Sequence, residues 1–171
     1  MLVANGTEEM EAVITIDVLR RADIKTTVLS LNEKQVTCSR GVVLVADTTD
    51  VPSKVFDVIV LPGGLQGAKT FASDVRVKSL LESHLNKCIA VICASPIALE
   101  HWQIHSSSRI TSHPSVKDQL KSFQYSEDRV VVHDNLITSR GPGTALEFAL
   151  AIVGHLKGND MRDKVAAPMV I

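Results

Sequence analysis

The stretch of residues 88–99 constrains the fold more than any other, because its pattern changes abruptly in the middle. Residues 88–92 form a short apolar run rich in β-branched side chains, which is typical of a buried strand. The residues from Cys93 to Ser95 are small, and Pro96 suits the first turn of a helix. The pattern predicts a strand, a sharp turn and a helix, with Cys93 at the corner.

Such a corner is a nucleophile elbow, which holds a reactive side chain above the carboxyl end of a sheet. Backbone N–H groups at the start of the following helix point to the same place. They are expected to lower the pKa of the Cys93 thiol below its free value of about 8.5, and they can stabilise an oxyanion. The local pattern also fits a small core residue, since free cysteine is among the most buried residue types.

Composition excludes several classes of function. With 171 residues, the chain is expected to form one domain covering residues 1–171. A net charge of −1 and an aromatic content of 4% offer neither a basic surface nor a stacking platform for nucleic acid. The three cysteines form no C-x-x-C pair, so we expect no metal site and a reducing compartment. No apolar run is long enough to span a membrane, so no membrane association is expected.

Strand and helix patterns alternate along the whole chain, which predicts an α/β sandwich with a mostly parallel sheet. Thr7 is expected to cap the first helix. Predicted strands cover residues 2–4, 24–31, 36–38, 42–45, 55–61, 88–92 and 136–139, with a hairpin-like segment formed by 124–125 and 130–133. Predicted helices cover residues 8–22, one or two segments within 65–86, a segment starting at 96, and residues 114–120, 145–156 and 161–167.

The first predicted helix begins with three glutamates, of which one is expected to serve a site. Glu8 and Glu9 lie in the first turn, where the helix dipole favours negative charge, and this explains them fully. Glu11 shares its face with the apolar residues Ile14 and Val18, so its carboxyl is directed inward. A carboxyl in that position has a raised pKa and can act as an acid or a base.

Two further features fall in the crevice expected above the carboxyl ends of the strands. The Pro-Gly-Gly at residues 62–64 lets the backbone approach a ligand closely, although a plain strand-to-helix turn explains it as well. His113 precedes a proline and is the residue type that a cysteine nucleophile needs nearby. A lone histidine in that position is more often an ordinary loop residue, so both interpretations stay open.

Five short motifs occur in order along the chain: GTEEME at 6–11, LPGG at 61–64, AVICA at 90–94, TSHP at 111–114 and TSRGPGT at 138–144. Together they resemble the DJ-1 family of protein deglycases, within the DJ-1/PfpI superfamily, and the resemblance covers essentially the whole chain. It implies a flavodoxin-like, three-layer α/β sandwich, a homodimer, and a cysteine chemistry that needs no cofactor.

The resemblance also implies roles for single residues. The reactive cysteine of the family falls on Cys93, and the protonated carboxyl that hydrogen-bonds to its thiolate falls on Glu11. A nearby histidine falls on His113. The backbone N–H groups that form the oxyanion site fall on Gly64 and Ala94.

Two more matches and two departures concern the edge of the site and the subunit contact. Arg40 matches an arginine that reaches toward the pocket of the partner subunit, with Pro142 as its companion there. Ser95 stands where the family commonly has glycine, so it either carries backbone strain or merely narrows the pocket. Val45 replaces a cysteine of the family's dimer face, so a redox role for that position is lost.

Two functions are consistent with these residues. A cysteine-dependent glyoxalase or deglycase would act on methylglyoxal, glyoxal and their early adducts on protein or nucleotide groups, releasing lactate or glycolate. An oxidative-stress sensor or redox-regulated chaperone would instead use oxidation of Cys93. His113 favours the enzyme, since a sensor has no evident need of it. The expected partners are a small α-oxoaldehyde and a second copy of the chain. The expected location is the cytoplasm, with the nucleus and mitochondrion as further compartments.

Overall fold

A computed structural model describes residues 1–171 as a central sheet with helices packed on it. The strands are β1 (Leu2–Val3), β2 (Leu29–Ser30), β3 (Gln35–Thr37), β4 (Val43–Val45), β5 (Val58–Leu61), β6 (Cys88–Ile92), β7 (Arg109–Ile110), β8 (Gln124–Tyr125), β9 (Val130–His133) and β10 (Leu136–Ser139). The α-helices are α1 (Glu9–Arg21), α2 (Leu65–Ser73), α3 (Val75–Ser83), α4 (Pro96–Trp102), α5 (Ala145–Lys157) and α6 (Asn159–Ala166). Short 3-10 helices cover Pro114–Gln119, Pro142–Thr144 and Ala167–Met169. A bilayer-spanning helix is not found among them.

The main sheet has the strand order β5-β6-β10-β9, and β1, paired in parallel with β2, lies beside β5. Strands β5, β6 and β10 run parallel, while β9 pairs antiparallel with β10 at the edge. All five residues of β6 are buried, because helices cover both faces of the sheet at its centre. Helix α1 packs against α5, and α2 packs against α4. The predicted α/β sandwich with a mostly parallel sheet is confirmed.

Two predicted β segments differ in the structure. The run at 24–31 pairs with β1 only over Leu29–Ser30. The hairpin between 124–125 and 130–133 is wrong, because β8 pairs in parallel with β7 and β9 forms its hairpin with β10 instead. Asp134 adopts a left-handed conformation with a φ of 53°, which suits the two-residue turn between β9 and β10.

The predicted cap of the first helix is also wrong. The N-cap is Glu8, whose carboxylate accepts a hydrogen bond of 2.8 Å from the N–H of Glu11. The hydroxyl of Thr7 turns back and accepts a hydrogen bond of 2.9 Å from the N–H of Ala4. The acidic side chain therefore satisfies a free N–H of the helix, while the threonine closes the turn that follows β1.

Candidate active site

Cys93 follows β6 directly and has the backbone conformation of a nucleophile elbow. Its φ of 66° lies in the left-handed region, which non-glycine residues adopt only where the surrounding structure enforces it. Here the N–H of Cys93 donates to the carbonyl of Ser139 over 3.0 Å, and its carbonyl accepts from the N–H of His113 over 2.8 Å. The elbow is thus held from both sides, by β10 and by the loop that carries His113.

Ser95 carries no backbone strain. Its φ of −67° and ψ of −19° lie in the ordinary right-handed region, and the positive φ of the elbow belongs to Cys93. The buried Ser95 hydroxyl donates a hydrogen bond to the carbonyl of Pro62. The side chain that departs from the family's glycine therefore connects the elbow to the loop after β5.

Glu11 lies directly behind the thiol and is fully buried. Its Oε2 accepts a hydrogen bond of 2.6 Å from the N–H of Gly63, and its carboxyl also interacts with the thiol of Cys93. Burial, reinforced by the charge of Glu8, raises the pKa of the Glu11 carboxyl to about 8. Its Oε1 is buried without a hydrogen-bonding partner, which favours a protonated carboxyl at neutral pH.

The loop after β5 tolerates no side chain at Gly63. A Cβ added there would lie 2.4 Å from the Cβ of Cys93 and 2.6 Å from Oε2 of Glu11. Gly64 is also constrained. Its φ is 85°, and a Cβ added there would lie 2.2 Å from the carbonyl oxygen of Gly6. Of the two interpretations of this glycine pair, the structure supports close approach of the backbone to Cys93 and Glu11 over a plain strand-to-helix turn.

The expected lowering of the thiol pKa is wrong. Burial raises the pKa of the Cys93 thiol to about 12, and the negative charge of an ionised Glu11 adds to this effect. The backbone N–H groups of Gly64 and Ala94 are directed at the sulfur and lower the pKa, but they do not outweigh burial. Protonation of Glu11 removes the repulsion between the two groups, so the thiolate forms more readily beside a protonated carboxyl.

A cavity of about 490 Å³ opens above the thiol. Glu11 lies beneath it, and the other candidate residues line it. These lining residues are Cys93, Ala94, Gly64, His113, Arg40 and Pro142. The sequence-predicted set is therefore brought to one place, and no group of three or more histidine, cysteine or acidic side chains lies close enough to hold a metal ion.

His113 is exposed to the cavity, and Ser115 fixes the orientation of its ring. The N–H of Ser115 donates to Nδ1 over 3.2 Å, and the Ser115 hydroxyl lies 2.7 Å from the same nitrogen. An Nδ1 that accepts leaves the proton of the neutral ring on Nε2. The sequence reasoning missed Ser115, although a serine two residues after His113 can be read as part of a local turn.

Arg40 lies at the edge of the cavity of its own chain, and its reach toward the pocket of a partner subunit stays a prediction. Its guanidinium makes one long hydrogen bond, 3.5 Å to the carbonyl of Ser39, and no ion pair. The structure also corrects the assignment of Glu9 as a plain helix-start charge. Glu9 is 7% exposed, and its carboxylate accepts from the Ser39 hydroxyl over 2.9 Å and from the Arg40 N–H over 2.8 Å.

Comparisons with known proteins show which family the chain resembles. The model of the DJ-1/PfpI family matches residues 1–155. Protein dj-1beta of Drosophila melanogaster is 46% identical over 178 residues, an alignment that covers 100% of this chain and 95% of that protein. The glutathione-independent glyoxalase DJR-1.2 of Caenorhabditis elegans is 35% identical over 178 residues, covering 100% of this chain and 94% of that protein.

Solved structures show the same architecture. The crystal structure of Drosophila melanogaster DJ-1beta has a TM-score of 0.96 to this chain at 46% identity, covering 99% of this chain and 95% of that one. DJ-1 of Schizosaccharomyces pombe has a TM-score of 0.92 at 32% identity, covering 99% and 97%. Because the family model and these relatives extend over nearly all of its sequence, the chain belongs to the DJ-1/PfpI family.

Proposed function

We propose that this protein is a glutathione-independent glyoxalase with deglycase activity. Its substrates are α-oxoaldehydes such as methylglyoxal and glyoxal, together with their early adducts on protein or nucleotide groups. One observation supports this above the others: the Cys93 thiol and the buried Glu11 carboxyl form a pair at the floor of one open cavity. The relative named as a glutathione-independent glyoxalase supports the same type of chemistry.

The first step adds the Cys93 thiol across the aldehyde C=O bond. Sγ forms a bond to the aldehyde carbon while the thiol proton passes to Glu11, and Glu11 gives a proton to the developing alkoxide. The product is a hemithioacetal. The N–H groups of Gly64 and Ala94, which already point at the sulfur, stabilise negative charge that develops on the oxygen. A carboxyl pKa of about 8 suits this exchange, because it lies near the working pH.

The second step is an internal redox reaction that needs no cofactor. A proton moves from the former aldehyde carbon to the neighbouring carbon through an enediol, so the first carbon is oxidised and the second is reduced. The ionised form of Glu11 accepts this proton from the first carbon and returns it to the second. The Nε2–H of His113 protonates the oxygen on the second carbon, and the hydroxyl on the first carbon returns a proton to Nε2 as its C=O bond forms. The result is a thioester of lactate on Cys93. Water then breaks the S–C bond, which releases lactate and restores the thiol.

The proposal is tested by measuring lactate formed from methylglyoxal in the absence of glutathione. Cys93→Ala should abolish turnover, because the small side chain fits the same corner but forms no bond to carbon. Cys88→Ala is the matched control, since this other thiol is buried at the start of β6 and should leave activity near wild type. Lactate formation by Cys93→Ala would contradict the mechanism.

A redox-sensing function uses the same thiol and has one observation in its favour. Oε1 of the buried Glu11 has no hydrogen-bonding partner, and the raised pKa favours the protonated carboxyl. Such a carboxyl can donate a hydrogen bond to an oxygen atom that oxidation adds to the Cys93 sulfur. A sensor should convert Cys93 to its sulfinate at low peroxide concentration, as read by mass spectrometry. It should do so without forming lactate from methylglyoxal, which separates it from the enzyme.

A further inference from the structure

Glu9 is a buried acid that the proposed chemistry does not use. It begins α1, is 7% exposed, and does not line the cavity above Cys93. The helix dipole does not explain why Glu9 is buried, because an exposed carboxylate at the same position would interact with the dipole as well. Burying a carboxylate is unfavourable unless hydrogen bonds compensate it. The partners of Glu9 therefore indicate what the burial achieves.

Those partners all belong to the turn at residues 38–42, which joins β3 to β4. The Ser39 hydroxyl donates to Oε2 over 2.9 Å, and the Arg40 N–H donates to Oε1 over 2.8 Å. The Val42 N–H makes a longer contact of 3.5 Å to the same Oε1. Burial raises the pKa of Glu9, but its hydrogen bonds outweigh this and hold the pKa below its usual value. The turn is thus folded around an ionised carboxylate.

This turn carries the cation of the cavity. Arg40 is the one lysine or arginine among the residues that line the space above Cys93. Its guanidinium has no acidic partner within the chain, so its charge is available to a bound anion. Because Glu9 binds the N–H of Arg40 itself, the position of this backbone depends directly on the Glu9 carboxylate.

We propose that Glu9 is a positioning residue: it holds the turn at residues 38–42 so that Arg40 stays at the cavity and selects anionic reactants at Cys93. The inference deepens the proposed function, in which the nucleotide adducts among the substrates and the carboxylate product are anionic, and it rests on that function for its biological meaning. Helix α1 then serves the site twice, since Glu11 contacts the thiol and Glu9 places the cation.

The test compares two alkylating reagents of similar size on Cys93. Iodoacetate is an anion and iodoacetamide is neutral, so the ratio of their rates at Cys93, followed by peptide mass spectrometry, reports the fixed cation. Arg40→Ala should lower this ratio about tenfold, the lower end of what charge adds to the encounter of an ion with a site. Glu9→Asp keeps the charge but is too short to hold the turn, and should lower the ratio nearly as much.

The sign of the effect separates positioning from simple electrostatics. Glu9→Gln removes a negative charge, which by itself would favour the anionic reagent and raise the ratio. Displacement of the turn moves Arg40 away and lowers the ratio. We expect this second effect to dominate, so the ratio should fall in Glu9→Gln. Asp17→Asn is the matched control, because Asp17 is an exposed acid on the same helix, paired with Arg21, and should leave the ratio unchanged. In the double variant Glu9→Asp/Arg40→Ala, the ratio should equal that of Arg40→Ala alone.

An unchanged or raised ratio in both Glu9→Asp and Glu9→Gln overturns the proposal, as does a further fall in the double variant. If the Glu9 variants fail to fold, Ser39→Ala removes one of the hydrogen bonds to Glu9 and should still lower the ratio about twofold, while an unchanged ratio there counts against the proposal. The measurement needs no turnover. Absence of lactate formation in the wild type would therefore refute the glyoxalase while leaving this test valid.

Discussion

The behaviour of the site depends on one proton, which the Glu11 carboxyl keeps because it is buried. Its pKa of about 8 in the folded chain compares with a usual value near 4.5. Between these values the unfolded chain has lost the proton and the folded chain still holds it. Stability therefore falls as the pH rises through this window, and levels off above pH 8.

Glu11→Gln should abolish this pH dependence, since an amide does not titrate. When the pH rises from about 5 to about 8, the unfolding free energy of the variant should increase relative to that of the wild type by on the order of 3 kcal/mol. Urea unfolding of both proteins at the two pH values measures the difference, and all other titrating groups cancel in the comparison. Parallel stability curves would show that Glu11 is ionised when the protein is folded.

The same substitution should slow lactate formation by at least about 10²-fold, the usual contribution of a positioned acid or base. Gln keeps the length of the side chain and a hydrogen-bond acceptor for the N–H of Gly63, but it transfers no proton. A stopped assay for lactate over a range of methylglyoxal concentrations gives kcat and KM. Full activity in a folded Glu11→Gln would leave the carboxyl without a chemical role.

Among the loops and helices, the glycine turn after β5 packs closely against the elbow after β6. Gly63→Ala would bring a methyl group within 2.4 Å of the Cβ of Cys93, so the two loops must separate. We expect a loss of unfolding free energy of about 1–3 kcal/mol, as for an overpacked core, together with loss of lactate formation. Gly143→Ala is the control, because an added Cβ there meets nothing within 4 Å.

Thermal unfolding and the lactate assay measure both effects of Gly63→Ala. The stability change and the activity change should appear together, since one displacement causes both. A Gly63→Ala protein that keeps wild-type stability and activity would mean that the turn is adaptable, and the close approach would then have no bearing on the site.

For the molecule as a whole, we propose that two chains associate through α1 and β4. Both elements expose large apolar side chains: Met10 at 51%, Val13 at 45%, Val43 at 48% and Val45 at 68%. Glu9 of α1 hydrogen-bonds to the turn that leads into β4, so the two elements lie near each other. Exposed apolar side chains on neighbouring elements are typical of a contact between proteins.

Light scattering at micromolar protein should therefore give the mass of two chains, twice the 18.5 kDa of one. Val13→Glu together with Val45→Glu should reduce it to the mass of one chain, because the interface would bury two unpaired charges on each side. Val75→Glu, at an exposed position on α3, is the control and should remain a dimer. A wild type with the mass of a single chain would exclude the association.

Local patterns were sufficient to predict the α/β sandwich and the elbow, because each depends on neighbours in sequence. The pairing of β8 with β7 was not predictable from local pattern, since β9 lies nearer to β8 in the sequence than β7 does and is the more apolar strand. The thiol pKa was predicted with the wrong sign, because the depth of Cys93 and the approach of Glu11 follow from tertiary packing. Glu9 was missed for the same reason: its partners, Ser39 and Arg40, lie about thirty residues away.

The turn at residues 38–42 lies outside the main sheet, and this location affects which substitutions the site can accept. The turn connects β3 and β4, which pair only with each other, and the main sheet that carries Cys93 does not include them. Substitutions in this turn can therefore accumulate without disturbing the strands beneath the reactive thiol. Proteins with the same reactive pair could therefore differ in this turn, and with it in the charge of the reactants that they prefer.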